Sequence, residues 1–168
     1  MNQAFYWDTS VFLCFLNEAE VARRSICEDV LRHAKNGEVH LFTSTFTIAE
    51  VIRPKKVSIL NARLLTADEI DEINKMFHWS WIEKVPVDQQ VAFKAVELAR
   101  SYGLWPADAI HAASAIRKTV DVLQAWDRDF SSVSHLVTVG EPLALDPQRF
   151  LISPPPIGPT PTTFKAKP

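Results

Sequence analysis

Four acidic residues stand at places where a chain can gather charge. Asp8 follows the apolar run Ala4-Phe5-Tyr6-Trp7, and Asp127 follows Gln124-Ala125-Trp126. Glu50 lies within Thr47-Ile48-Ala49-Glu50-Val51-Ile52, and Asp108 comes two residues after Pro106. Taken singly, each has an ordinary role as a helix cap, a turn residue, a complement to a helix dipole or a solvated helix residue. Together they suggest one acidic edge. Two like charges about 4 Å apart repel by roughly 4 kcal/mol at an effective dielectric of about 20. Such a cluster persists if some members are protonated or if a cation sits among them. Ligation by oxygen alone favours Mg2+ or Mn2+, hard ions suited to phosphate substrates. The chemistry open to such a centre is metal-assisted phosphodiester hydrolysis.

These acids need a scaffold, and the sequence supplies one. Residues 4–7 predict a buried strand, stopped by Asp8-Thr9-Ser10, which can cap a helix from near Val11. A second helix is predicted over 19–36, ended by Asn36-Gly37. Val39-His40-Leu41-Phe42 reads as a strand, and Thr43-Ser44-Thr45 can cap a helix over 46–53 that Pro54 closes. Thr66 with Glu69 has the form of a capping box ahead of Ile70, Ile73 and Phe77. Trp79 to Val85 is a strand candidate. Asp88 caps a helix ended by Gly103, and Pro106 opens another over 106–118. Further strands are expected within 121–126 and 136–139. Strands alternating with helices predict an α/β domain with a parallel sheet. In such a sheet, ligands bind outside the carboxyl ends of the strands, where Asp8 and Asp127 fall.

The 168 residues suit one domain, expected over 1–150. A Pro-rich tail follows over 151–168, read as an extended arm. The net charge of −2 disfavours a tight duplex-DNA binder held by phosphate contacts alone. Cys14 and Cys27 make no metal-ligand pattern and are expected as buried, reduced thiols, which points to the cytoplasm. No apolar run is long enough to span a membrane, and the start Met-Asn-Gln-Ala lacks the basic region of a secretory leader. The phosphate-loop, dinucleotide and nucleophile-elbow motifs are absent, and glycines number only 4.

The acidic stretches also carry a family resemblance. Tyr6-Trp7-Asp8-Thr9-Ser10-Val11, Ala49-Glu50-Val51, Pro106-Ala107-Asp108-Ala109-Ile110-His111-Ala112-Ala113 and Trp126-Asp127-Arg128-Asp129-Phe130 occur in the order and spacing of PIN domains. The chain most resembles the VapC-type ribonuclease toxins of toxin–antitoxin pairs. That resemblance implies a Rossmann-like three-layer α/β/α sandwich around a parallel sheet of four to five strands. It implies a Mg2+- or Mn2+-dependent endoribonuclease, with Asp8, Glu50, Asp108 and Asp127 as catalytic acids and metal ligands. Ser10 and Asp129 correspond to supporting positions. Implied partners are an RNA substrate, a cognate antitoxin and a second copy in a homodimer. The family often has Thr or Ser two residues before the last acid, where this chain has Ala125.

Other residues have weaker signals. His111, three residues after Asp108, shares its helix face, although a structural histidine is the commoner reading. Arg53, Lys55, Lys56 and Arg63 form a basic cluster, with Arg53, Lys55 and Lys56 as candidate RNA contacts. Trp79, Trp81 and Trp105 read as core or interface aromatics, and Phe77 to Trp81 as a segment of a dimer face. The alternative function is a non-catalytic PIN-like module that binds RNA or protein. A haloacid-dehalogenase-like phosphatase is disfavoured, because its second aspartate is replaced by Ser10.

Overall fold

The computed structural model describes residues 2–52 and 65–145, and the strand backbone at 55–58 and 61–63. The elements run in this order: β1 Gln3–Trp7, α1 Thr9–Phe15, α2 Val21–Lys35, β2 Val39–Ser44, α3 Thr45–Val51, β3 Lys55–Ser58 and β4 Asn61–Arg63. The chain continues as α4 Ala67–Phe77, β5 Ile82–Val85, α5 Gln89–Tyr102, α6 Pro106–Arg117, β6 Val122–Gln124, a 3-10 turn at Ser131–Val133, and β7 Val139–Gly140. Five parallel strands form one sheet in the order β5-β2-β1-β6-β7.

Side-chain alternation along β1 divides the core. Phe5 and Trp7 pack on one face with Leu41, Ile82 and helices α1 to α4. Tyr6 points to the other face with Leu123 and helices α5 and α6. Both faces are therefore covered, as a parallel sheet requires, and the result is the predicted three-layer α/β/α sandwich.

Local signals set many boundaries. The Asp8 side chain caps α1 by accepting the Val11 amide. Thr66 and Glu69 form the expected capping box at α4. Asp88 caps α5, and Gly103 ends it at φ +70°, a backbone angle that glycine adopts without strain. Cys14 and Cys27 are both buried free thiols, and burial pushes Cys27 up to about 12.

Other elements differ from the expectation. The strand predicted over 79–85 begins only at Ile82, because the chain turns first, with the Ile82 amide donating to the Trp79 carbonyl. Trp79 and Trp81 stack on each other at 4.7 Å between ring centroids and are half-buried, while Phe77 is buried. The last strand falls at 139–140, and the antiparallel pair β3–β4 has no counterpart in the predicted elements. Arg53 and the tail over 151–168 lie outside the described residues, as do the side chains of Lys55, Lys56 and Arg63.

Candidate active site

Strand order places the site. The chain moves from β1 to β2 and β5 on one side, then crosses to β6 and β7 on the other. The connections leaving β1 and β6 therefore diverge, and a crevice opens at their carboxyl ends. Asp8 follows β1 and Asp127 lies three residues past β6. The two ends are tied together by the Asp8 amide on the Gln124 carbonyl at 3.3 Å and by the Trp7 indole on Gln124 Oε1 at 2.6 Å.

Asp8 is buried, and its Oδ1 accepts from the Ser10 hydroxyl at 2.7 Å and the Val11 amide at 3.2 Å. The Ser10 oxygen in turn accepts the Trp126 amide at 3.0 Å. Ser10 thus links the first acid to the segment that carries the last.

Glu50 reaches the crevice from α3. That helix is docked by Thr43, whose hydroxyl donates to the Trp7 carbonyl at 2.9 Å and meets the Thr47 hydroxyl at 2.8 Å. Glu50 Oε2 accepts from the Thr9 hydroxyl and lies 2.8 Å from His111 Nε2. Asp108 stands in the first turn of α6, opened by Pro106.

Electrostatics connect the acids. Burial pushes the Asp8 carboxyl up to about 6, and the Asp127 charge adds to this, while Ser10 and His111 pull it down. Burial also pushes Asp108 up to about 6, followed by the charges of Asp129, Asp127 and Glu50. Asp127 and Asp129 are exposed. Partial desolvation, and then the Asp129 charge, move Asp127 upward. All five carboxylates therefore belong to one interacting field.

Among the described residues, no three His, Cys, Asp or Glu side chains stand as a group that could hold a metal ion. Asp8 and Glu50 are turned to the hydrogen-bond partners named above. In kind, the donors fit a hard divalent cation: they are carboxylate oxygens, and burial first, then neighbouring negative charge, raises the proton affinity of Asp8 and Asp108.

Two participants were missed or underrated in the sequence. Thr9 falls in a capping run and in the first acidic motif, and neither signals its contact with Glu50. His111 is buried, with Nε2 on Glu50 and Nδ1 2.9 Å from the Tyr6 hydroxyl, partners that the sequence does not name. The i, i+3 spacing from Asp108 was the available signal. Ala125 is buried and its amide donates to the Gly140 carbonyl, so this position serves the sheet.

The fold has solved neighbours. The chain is similar to the VapC20 toxin of Mycobacterium tuberculosis, described as cleaving the sarcin–ricin loop, at TM-score 0.58 and 19% identity, over 77% of this chain and 94% of that one. It is similar to a chain of a toxin–antitoxin complex from Klebsiella pneumoniae at TM-score 0.56 and 19% identity, over 83% and 98%. It is also similar to a chain of VapBC2 from Rickettsia felis, solved with a fragment of promoter DNA, at TM-score 0.58 and 16% identity, over 83% and 98%. At these identities the likeness is one of fold. No curated protein matches the chain. The PIN domain profile matches residues 5–136, the stretch that holds all four acids and both layers of helices. On that match, the chain belongs to the PIN domain family.

Proposed function

We propose that the protein is an endoribonuclease that hydrolyses phosphodiester bonds in RNA with Mg2+ or Mn2+, and that it is the toxin of a toxin–antitoxin pair. The observation that supports this reading is the placement of buried Asp8 at the end of β1 and of Asp127 three residues past β6, where the two strands diverge, with Asp108 influenced by the charges of Asp127, Asp129 and Glu50. Asp8 and Asp108 are the direct cation ligands in this reading. Glu50 joins them directly or through water, and Asp127 is the weakest member. A bound divalent ion supplies positive charge against the scissile phosphate and makes an attacking water more acidic. The chain's own part is to present the carboxylates. Ser10 orients Asp8, Thr9 and His111 hold Glu50, and Asp129 adds to the charge that attracts the cation.

RNA is the substrate in this reading, with Arg53, Lys55 and Lys56 as phosphate contacts, since they follow the helix of Glu50 directly in sequence. A cognate antitoxin is the inhibiting partner. Similarity to chains of toxin–antitoxin complexes supports it. We assign the activity to the cytoplasm and the working unit to a homodimer. Among the described residues, no helix is long and apolar enough to cross a membrane. Residues 1–150 form the nuclease domain in this scheme, and 151–168 an appended arm.

One observation favours a second reading, a non-catalytic module that binds RNA or protein: no three of the described acids and histidines are gathered as a cation-holding group. The two readings part in one experiment. Protein stripped with EDTA and incubated with single-stranded RNA should cleave only after Mg2+ or Mn2+ is restored, and Asp8→Asn should abolish cleavage while leaving the fold intact. Cleavage that survives excess EDTA contradicts the metal mechanism. RNA binding without cleavage at any metal concentration supports the binding module.

A further inference from the structure

Glu50 is the site acid with the longest side chain, and so the one with the most rotamer freedom to lose. Its surroundings restrict that freedom. An ionised carboxylate only accepts hydrogen bonds. With Glu50 ionised, as a cation ligand is, His111 Nε2 at 2.8 Å from Glu50 Oε2 is the donor. In the neutral ring Nδ1 is then the acceptor, and the Tyr6 hydroxyl stands 2.9 Å from it. Thr9 donates to the same Glu50 oxygen and lies 3.1 Å from Nε2. Tyr6 comes from β1, Thr9 from α1, Glu50 from α3 and His111 from α6. Tyr6, Thr9 and His111 are all buried. Four separate elements thus meet in one chain of hydrogen bonds that ends on a carboxylate.

We propose that His111 is a positioning residue for Glu50: its Nε2–H, with the tautomer set by the Tyr6 hydroxyl, holds the Glu50 carboxylate in the orientation that serves the cation centre. The inference rests on the reading of the acids as a cation site. His111 is not itself a ligand in this arrangement. Coordination needs a free ring lone pair, and in this tautomer the only one faces Tyr6. Nor is His111 merely core filling, since an apolar ring of the same volume would leave Glu50 with one donor fewer. Partners of this kind around a ligand commonly change metal affinity by about 10–100-fold.

The test is Mn2+ binding to the metal-stripped full chain, read by electron paramagnetic resonance, with thermal melting of every variant. Glu50→Gln should weaken binding by about 10–100-fold, and His111→Leu by a comparable factor. His111→Gln retains an N–H that can reach Glu50 and should restore most of the affinity. The double variant with Glu50→Gln and His111→Leu should bind no more weakly than Glu50→Gln alone, because the two changes remove one interaction.

Wild-type Mn2+ binding by His111→Leu, beside a weakened Glu50→Gln, overturns the inference and leaves the cation site standing. Binding by His111→Gln as weak as by His111→Leu also overturns it. If Asp8→Asn and Glu50→Gln both bind Mn2+ as the wild type does, the cation site falls and the inference falls with it. Should His111→Leu lose its cooperative melt, Tyr6→Phe carries the test, since it removes only the hydroxyl. Weaker Mn2+ binding with an unchanged melt supports the proposal, and wild-type binding overturns it.

Discussion

The hydroxyl oxygen of Ser10 accepts the backbone amide of Trp126 at 3.0 Å, across 116 residues of sequence. That bond ties the segment after β6 to the start of α1, beside the end of β1. The same hydroxyl donates to Asp8, so one small side chain sets both the orientation of the first acid and the position of the segment that leads to the last. Ser10→Ala leaves the Trp126 amide without this acceptor. A part-buried amide left unsatisfied costs about 1–3 kcal/mol. The variant should lose stability in that range, measured by urea unfolding, and cleave RNA about 10–100-fold more slowly.

Asp127 is exposed and Asp8 is buried, and the two should respond differently to added cation. Asp127→Asn should raise the Mg2+ concentration needed for cleavage, and high Mg2+ should restore part of the rate. Asp8→Asn should remain inactive throughout. A Mg2+ titration of both variants on one RNA substrate checks the ranking, which is reversed if Asp8→Asn is rescued and Asp127→Asn is not.

The sequence disclosed the parts of this site that local rules govern. Asp8 was legible because strand end and helix cap are written within four residues, and Asp108 because Pro106 marks the first turn of its helix. The capping box at Thr66 and the helix stop at Gly103 followed from the same kind of local chemistry. The contacts of His111 were not legible. Its partner Tyr6 lies 105 residues away, and helical spacing names a shared face without naming what meets it. Trp79 misled because an aromatic run favours a strand, whereas here it supports a turn with its ring stacked on Trp81. The β3–β4 pair gave no alternating pattern strong enough to read.

Asp29 on α2 holds the end of the described chain, accepting the Leu145 amide at 2.7 Å. Burial alone would push its carboxyl up, but the Leu145 amide and the Arg32 guanidinium outweigh it, so Asp29 sits below its ordinary value. A lowered carboxyl adds stability above its unfolded value of about 3.9, and that stability is lost as pH falls through the lower folded value. Asp29→Ala should therefore destabilise by about 1–3 kcal/mol at pH 7. The gap to wild type should narrow below about pH 4. Thermal melts across pH check both the size and the direction.

Helix α5 exposes Phe93 and Val96 on one face, and Trp105 is exposed just before α6. Apolar side chains three residues apart on a solvent-facing helix mark a contact surface. In the homodimer reading a second copy covers them. Phe93→Lys with Val96→Lys should then shift the protein from dimer to monomer in light scattering without lowering its melting temperature. An unchanged dimer would place the interface elsewhere.

The central claim is that Asp8, Glu50, Asp108 and Asp127 form one cation centre at the divergence of β1 and β6. Crystals soaked in Mn2+ and measured at the manganese edge test it most directly. The account predicts an anomalous peak within about 2.0–2.5 Å of carboxylate oxygens from both Asp8 and Asp108, with their side chains drawn together around it. A peak elsewhere on the surface, with Asp8 still directed to Ser10 and the Val11 amide, would contradict it.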